Sequence, residues 1–330
     1  MEQNLPHEEH LLPEDPASSE ANNAYQKYKP LGVIILIAVS ILLFLGIHTE
    51  KDLDSWESYR KWGYLPGEDI WNGKLWALLT SNFIHIEFWH IAFNLYWLWQ
   101  LGKKVEFEKD FFHFLWIAVT TGIISSIVQL AFSDTTGIGL SGIVYGLFGY
   151  ILLQSKYQES FKGYLTKQTI YLFLIWLVFC LGLTYMAKAA IGNAGHVSGI
   201  VWGILLAYVE NNYRNPLKIV IPTGLLLLSL ISVAWAPWSM GWLSNKAYKL
   251  HQEQKLEEAL LVYNEILAKD PGNSFALENK KAIEIDQISK EAYDAHQKNN
   301  VKAALKLYQK ILVLDPQNQW AKENMEKLDK

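Results

Sequence analysis

The feature that most constrains the fold is a series of seven apolar stretches between Leu31 and Trp235, separated by polar loops. About 20 apolar residues in helical form cross the hydrocarbon of a bilayer. Lipid offers no partners to backbone polar groups, so a segment that crosses it as a single stretch must be helical. The sequence therefore predicts an all-α, polytopic membrane bundle. The predicted spans are Leu31–Ile47, Phe83–Leu101, Phe111–Phe132, Leu140–Gln154, Thr169–Met186, Gly195–Val209 and Ile219–Trp235.

The distribution of charge divides the chain into domains. Charged residues make up 19% of the 330 residues and cluster at the two ends and in the loops. This pattern is typical of a membrane domain with soluble ends. The predicted domains are a disordered cytoplasmic tail (1–30), a membrane core (31–210), a seventh transmembrane helix (211–240) and soluble helical repeats (244–330).

Lysines and arginines indicate the orientation in the membrane. They are concentrated in the loops after the second, fourth and sixth spans, and such loops usually lie in the cytoplasm. We therefore expect a multi-pass protein of the plasma (inner) membrane with a cytoplasmic N-terminus and with its C-terminal repeats on the outer face. A net charge of −4 gives no electrostatic reason to expect a nucleic acid partner.

Polar residues recur at one predicted depth in the membrane. Spans two, four and six all begin on the outer side, and their first parts hold His85, His90 and Asn94, then Ser141, then His196. Polar groups inside a bilayer are costly, and they usually mark a functional site. The sequence therefore predicts a site shared by three helices.

A serine and a histidine in this set suggest nucleophilic catalysis. A serine hydroxyl needs a nearby base, and His196 is the natural base for Ser141. His90 and Asn94 are four residues apart on one helical face and could donate hydrogen bonds to a developing oxyanion. Taken singly, each histidine is more often a satisfied buried polar group than a catalyst, but the set favours a site.

The positions of the acidic residues favour a catalytic dyad over a triad. Asp134 lies in the loop before Ser141, and Glu87 lies one turn before His90. Neither is obviously placed to orient His196. Small-residue faces on both helices would allow the close packing that brings serine and histidine together. These faces are formed by Gly142, Gly146 and Gly149, and by Gly195, Gly199 and Gly203.

Three motifs resemble those of the rhomboid family of intramembrane serine proteases. They are Gly139-Leu140-Ser141-Gly142, the run from Gly195-His196 to Gly203, and His90-Ile91-Ala92-Phe93-Asn94. The resemblance covers about residues 31–210 and implies a six-helix core, to which the seventh helix is an addition. It implies a short fourth helix that starts below the membrane surface. The site residues that it implies are Ser141 as nucleophile, His196 as base, His90, Asn94, Gly139 and the Ser141 N–H around the oxyanion, and Tyr145 stacked on His196.

One position departs from the pattern of that family. Its members commonly carry a Trp-Arg pair in the first loop, where this chain has Trp76-Ala77. The departure bears on how the loop, about residues 48–80, is anchored and leaves the chemistry unaffected.

The C-terminal region contains an internal repeat. Residues 255–271 recur as residues 300–316, a period of 45, and each copy ends in Asp-Pro. The region resembles tetratricopeptide repeats, whose usual period is about 34 residues. We therefore expect the helix between the copies to be extended by about three turns. A helical extension without a ligand remains the alternative.

The sequence thus favours an intramembrane serine protease that cleaves single-span membrane proteins near the outer end of their helix. The repeat tail would bind substrates or another protein partner. A catalytically silent membrane scaffold is the alternative, and a transporter is disfavoured because paired interrupted spans are lacking. No metal or other cofactor is expected.

Overall fold

The computed structural model describes residues 16–53, 55–187 and 191–328, and the regular structure in these ranges is helical. The helices are α1 (Pro16–Lys27), α2 (Leu31–Ile47), α3 (Trp56–Trp62), α4 (Gly67–Trp71), α5 (Ala77–Thr80), α6 (Phe88–Trp97), α7 (Lys103–Lys109), α8 (Phe111–Phe132), α9 (Ser141–Gln154), α10 (Lys167–Ala187), α11 (Asn193–Asn212), α12 (Pro216–Ala234), α13 (Met240–Gln252), α14 (Leu256–Lys269), α15 (Ser274–Gln297), α16 (Val301–Leu314) and α17 (Gln319–Leu328). A π-helical turn, Leu98–Gly102, joins α6 to α7.

Four segments of the described ranges are long and apolar enough to cross a membrane, namely Asn23–Ile47, Phe111–Phe132, Lys167–Met186 and Pro216–Ala234. Together with α9, a shorter apolar helix, they coincide with five of the seven predicted spans. The remaining two correspond to α6 and α11, in which histidine and asparagine replace apolar residues. The protein is therefore an integral membrane protein, and the count of seven spans stays a prediction.

The chain forms two compact units. The first contains the described residues up to Leu65, Trp76–Gln129 and Thr136–Leu227, and the second contains Pro66–Leu75, Leu130–Thr135 and the chain from Leu228 onward. The core of the first unit is organised around α9, in which every residue from Gly142 to Ile151 is buried.

The tightest contact in the first unit is between α9 and α11. A Cβ atom at Gly203 would overlap the carbonyl oxygen of Gly146, and one at Gly199 would overlap that of Gly142. Glycine is therefore required at Gly199 and Gly203 because the backbones of the two helices touch. This is the small-residue packing that the sequence predicted for these two helices.

The N-terminus of α2 is held by a buried carboxylate. Pro30 precedes this helix and makes no side-chain cap, so the first N–H groups of α2 need other partners. Gly32 and Val33 each donate a backbone hydrogen bond to the Glu106 carboxylate at 3.0 Å. The negative charge also lies favourably at the positive end of the helix dipole.

The prediction of a disordered tail over residues 1–30 is wrong for Pro16–Lys27, which form α1. Residues 1–15 lie outside the described ranges. Tyr25 packs edge-on against Phe107, with ring centroids 5.2 Å apart, and the Lys103 ammonium lies 4.8 Å from the Tyr25 ring centre. The polar composition of the segment does not indicate this docking, because the contact is made by two aromatic side chains, Tyr25 and Phe107.

The first loop is anchored without the missing arginine. Ala77 is fully buried, so its environment accommodates a small side chain. Thr80 donates a hydrogen bond to the Gly63 carbonyl at 2.6 Å, and Trp62 donates one to Glu50 at 2.8 Å. These contacts tie the end of α3 to the end of α5 and to the segment that follows α2.

The C-terminal helices of the second unit form two similar three-helix modules. The first contains α13, α14 and the start of α15, and the second contains the end of α15, α16 and α17. The 24-residue α15 is continuous through both. Fully buried residues of the two modules correspond with a spacing of 45, namely Ala259 and Ala304, Tyr263 and Tyr308, Ile266 and Ile311, and Ala276 and Ala321.

Replacing Gly203 by alanine is expected to destabilise the protein, because the added Cβ forces α11 away from α9. Overpacking of this kind costs about 1–3 kcal/mol, and the melting temperature should fall by roughly 5 °C. Thermal unfolding of the purified protein in detergent measures the change. Gly182→Ala is the matched control, because Gly182 lies in α10 with open space around its Cβ position. The melting temperature of this variant should be unchanged or higher than that of the parent protein. Equal behaviour of the two variants would contradict the packing argument.

Candidate active site

The central feature of the site is a hydrogen bond between the predicted nucleophile and base. Ser141 Oγ lies 2.8 Å from His196 Nε2. Ser141 is the first residue of α9, and His196 is in the first turn of α11. The glycine contacts between these helices bring the two side chains together.

His196 is positioned by an aromatic ring, and no acidic side chain of the described residues pairs with it. The Tyr145 ring lies against the imidazole, with centroids 4.9 Å apart and ring planes 37° apart. His196 Nδ1 is buried and finds no hydrogen-bond partner in the described part of the chain. Glu87 lies 3.9 Å from His90 instead. The geometry is that of a Ser–His dyad.

Gly139 shapes the opposite side of the serine. Its φ of 95° belongs to the left-handed region that favours glycine. A Cβ atom here would lie 2.6 Å from the His90 ring and 3.2 Å from the Asn94 amide nitrogen. His90 and Asn94 can therefore approach the backbone just before Ser141, where a substrate oxyanion would form. The structure thus brings together all the predicted site residues: Ser141, His196, Tyr145, Gly139, His90 and Asn94.

His85 has a role that the sequence reasoning missed, although His85 was recognised as one of the residues at matched depth. It is fully buried, and its Nε2 lies 3.2 Å from Asn94 Nδ2 and 3.3 Å from the Leu140 backbone nitrogen. Both donors can point at this nitrogen if it carries no proton. His85 therefore ties the Asn94 side chain to the residue before the nucleophile.

A second overlooked residue, Gln129, supports the base. Its side-chain oxygen accepts a hydrogen bond from the Gly195 backbone N–H at 3.0 Å, at the N-terminus of α11. The residue fixes the start of the helix immediately before His196. A glutamine within the predicted span Phe111–Phe132 was the signal that could have found it, because polar groups inside a membrane are costly and usually mark a functional site.

This arrangement has the parts needed for acyl transfer. The serine is hydrogen-bonded to a base, and amide and imidazole donors lie beside it. The nucleophile is at a helix N-terminus, where free N–H groups can stabilise negative charge. All these residues lie within the first unit.

Comparison with known proteins places this site in a family. Residues 72–213 match the Rhomboid domain. The chain is 32% identical over 194 residues to the rhomboid protease GlpG of Pectobacterium atrosepticum, covering 58% of this chain and 67% of that protein.

Two further relatives show the same extent of similarity. Identity to the rhomboid protease GlpG of Klebsiella pneumoniae is 30% over 177 residues, covering 54% of this chain and 61% of the relative. For that of Salmonella choleraesuis it is 29% over 181 residues, covering 55% and 63%. The chain thus spans about three fifths of the length of these two relatives. With its matched domain and its serine, histidine and asparagine motifs in place, the chain belongs to the rhomboid family.

Proposed function

We propose that this protein is an intramembrane serine endopeptidase that uses a dyad of Ser141 and His196. The observation that carries the proposal is the 2.8 Å contact between Ser141 Oγ and His196 Nε2, beside the oxyanion donors His90 and Asn94. The relatives named rhomboid proteases support the same activity.

The geometry supports a role for each group in peptide hydrolysis. Ser141 Oγ attacks the carbonyl carbon of the substrate while His196 Nε2 accepts the hydroxyl proton. The negative charge on the carbonyl oxygen is stabilised by His90, Asn94 and the Ser141 backbone N–H. His196 then returns the proton to the leaving amine, and the acyl-enzyme remains on Ser141. Water attacks this ester with His196 as base, which releases the product and restores the serine.

The proposed substrates are single-span membrane proteins cut near the outer end of their helix. A helix must be locally unwound to expose a peptide bond, and small residues favour unwinding. The position of Ser141 at the start of a short helix of 14 residues supports a site below the membrane surface that water enters from outside.

A membrane scaffold without catalysis is the second candidate, and the serine–histidine contact disfavours it. A scaffold needs neither a nucleophile paired with a base nor donors next to it. A transporter is less consistent still, since transporter sites are typically formed by paired discontinuous helices.

We also propose that the two C-terminal modules are tetratricopeptide-like and bind a protein. The helix ends support the resemblance: Asn273 and Asn318 each accept a hydrogen bond from the backbone N–H three residues later, at 3.1 and 3.0 Å. In the proposed inner-membrane topology, α12 is the seventh span and carries these modules to the outer face. There they could raise the local concentration of substrate at the site.

Ser141→Ala and His196→Ala are each expected to abolish cleavage, because removing either group stops both proton transfer and formation of the acyl-enzyme. The two residues act as a unit, so the double variant should be no less active than either single variant. Cleavage of a single-span substrate in proteoliposomes measures this.

Ser155→Ala is the matched control. Ser155 follows the last residue of α9 and bonds a local carbonyl, so cleavage should persist. Substantial residual activity in either single dyad variant would overturn the assignment.

Asn94→Ala and His90→Ala are expected to lower kcat roughly 10–1,000-fold with a small change in KM, the scale of losing one oxyanion donor. Steady-state kinetics on the same substrate separates the two constants. Asn212→Ala, at the last residue of α11, is the control and should retain kcat. A rise in KM with kcat intact would assign these residues to substrate binding or packing.

An epitope placed after Lys330 is expected to be removed when spheroplasts are treated with protease, because an odd number of spans brings the repeats to the outer face. An epitope at the N-terminus should be protected in the same cells and serves as the control. Protection of the C-terminal epitope would contradict the topology and, with it, recruitment of substrate by the tail.

A further inference from the structure

Two short segments from far apart in the sequence are paired within the second unit. The Gly67 backbone N–H donates to the Asp134 carbonyl at 2.9 Å. Pro66 and Thr135 form an isolated antiparallel bridge. The start of α4 and the chain just after α8 are therefore held together by their backbones.

The first turn of α13 rests on this pair. A Cβ atom at Gly241 would lie 2.8 Å from Asp134 Cβ and 3.1 Å from the Trp71 ring. Ser239 caps α13 by accepting from the Trp242 N–H at 3.3 Å, and its own hydroxyl is 3.5 Å from the Ser133 carbonyl. Close approach of backbones at Gly241 thus joins the tail to Asp134.

The rest of the first module is braced against the same point. Lys269, the last residue of α14, donates to the Pro237 carbonyl at 2.7 Å. The Trp242 indole donates to the Ala234 carbonyl at 3.2 Å, at the end of α12. A displacement of this module therefore also displaces the start of α13, because these hydrogen bonds connect the two.

The segment from Ser133 to Thr135, which contacts α4 and α13, is followed closely by the proposed nucleophile. Thr135 is followed after five residues by Ser141, and the connection contains Gly139 and Leu140. These two residues contact His90, Asn94 and His85. A displacement of about 1 Å at an active site can lower the rate ~100-fold. The contact with the tail is thus placed where small movements matter.

We infer that α13 is a positioning element of the protease site, and that binding of a protein to the repeats changes turnover through this contact. The inference rests on the proposed protease function. A cavity of about 280 Å³ lies beside the contact, lined by residues that include Phe132, Asp134, Trp238 and Gly241. The cavity gives α13 room to shift when the module is loaded.

A reversible cross-link tests the inference in the full chain. Asp134→Cys and Gly241→Cys are combined with Cys180→Ala, which removes the single native cysteine. A disulfide needs Cβ atoms about 3.8 Å apart, within about 1 Å of the present arrangement. Oxidation should therefore form the bond in membranes. In the reduced protein the two cysteine side chains overlap, and the overlap pushes α13 away from residue 134.

The expected result is a change in kcat on cross-linking. The reduced protein should have a kcat about 10-fold below that of the Cys180→Ala parent, with KM unchanged, and oxidation should restore kcat to within about twofold. A purely structural contact would change the melting temperature and leave kcat alone. Asp134→Cys with Gly272→Cys is the matched control and should not cross-link, because the Cβ position of Gly272 is near Asp270 alone.

The outcomes separate this inference from the proposed function. If no disulfide forms with Gly241→Cys, the contact is absent from the membrane-embedded protein and the inference fails. If the disulfide forms and kcat is the same in both states, the contact does not position the site. If the Cys180→Ala parent does not cleave while the disulfide forms, the proposed function has failed instead.

Discussion

The close approach of α9 and α11 is the contact on which the site depends. Between membrane helices the hydrophobic effect supplies no driving force, so association relies on close packing. Glycines at 149, 199 and 203 let the two backbones touch. Ser141 and His196 lie near the N-terminal ends of the two helices, so the backbone contact sets their separation. Any side chain at these glycines would separate the pair.

The site is preorganised by polar groups that would be costly without partners. His85 ties Asn94 to Leu140, and Gln129 holds the start of α11. Each bond lowers the cost of a buried polar group and also fixes an element that carries a candidate catalytic residue. α6 has only 10 residues and holds His90 and Asn94, and α11 holds His196 and ends in Glu210-Asn211-Asn212, so neither is as long and apolar as the four spanning segments.

Within the second unit, local contacts hold the first C-terminal module against the segment that follows α8. The five residues between α12 and α13 contain the Ser239 cap, and Lys269 bonds back to this connection at Pro237. Gly241 then meets Asp134. This segment continues along the chain to Ser141, which is the basis of the proposed positioning role of α13.

The sequence by itself determined the membrane class, the set of catalytic candidates and the positions of most apolar helices. Apolar runs, glycine spacing and the motifs around Ser141, His196 and Asn94 are local patterns, and local patterns can be read without a structure. Only the tertiary structure decided that His196 Nδ1 has no partner among the described residues, that His85 bonds Leu140, that residues 16–27 dock as a helix, and that α13 packs on Asp134. These facts depend on contacts between segments distant in the chain, and those contacts exist once the helices pack.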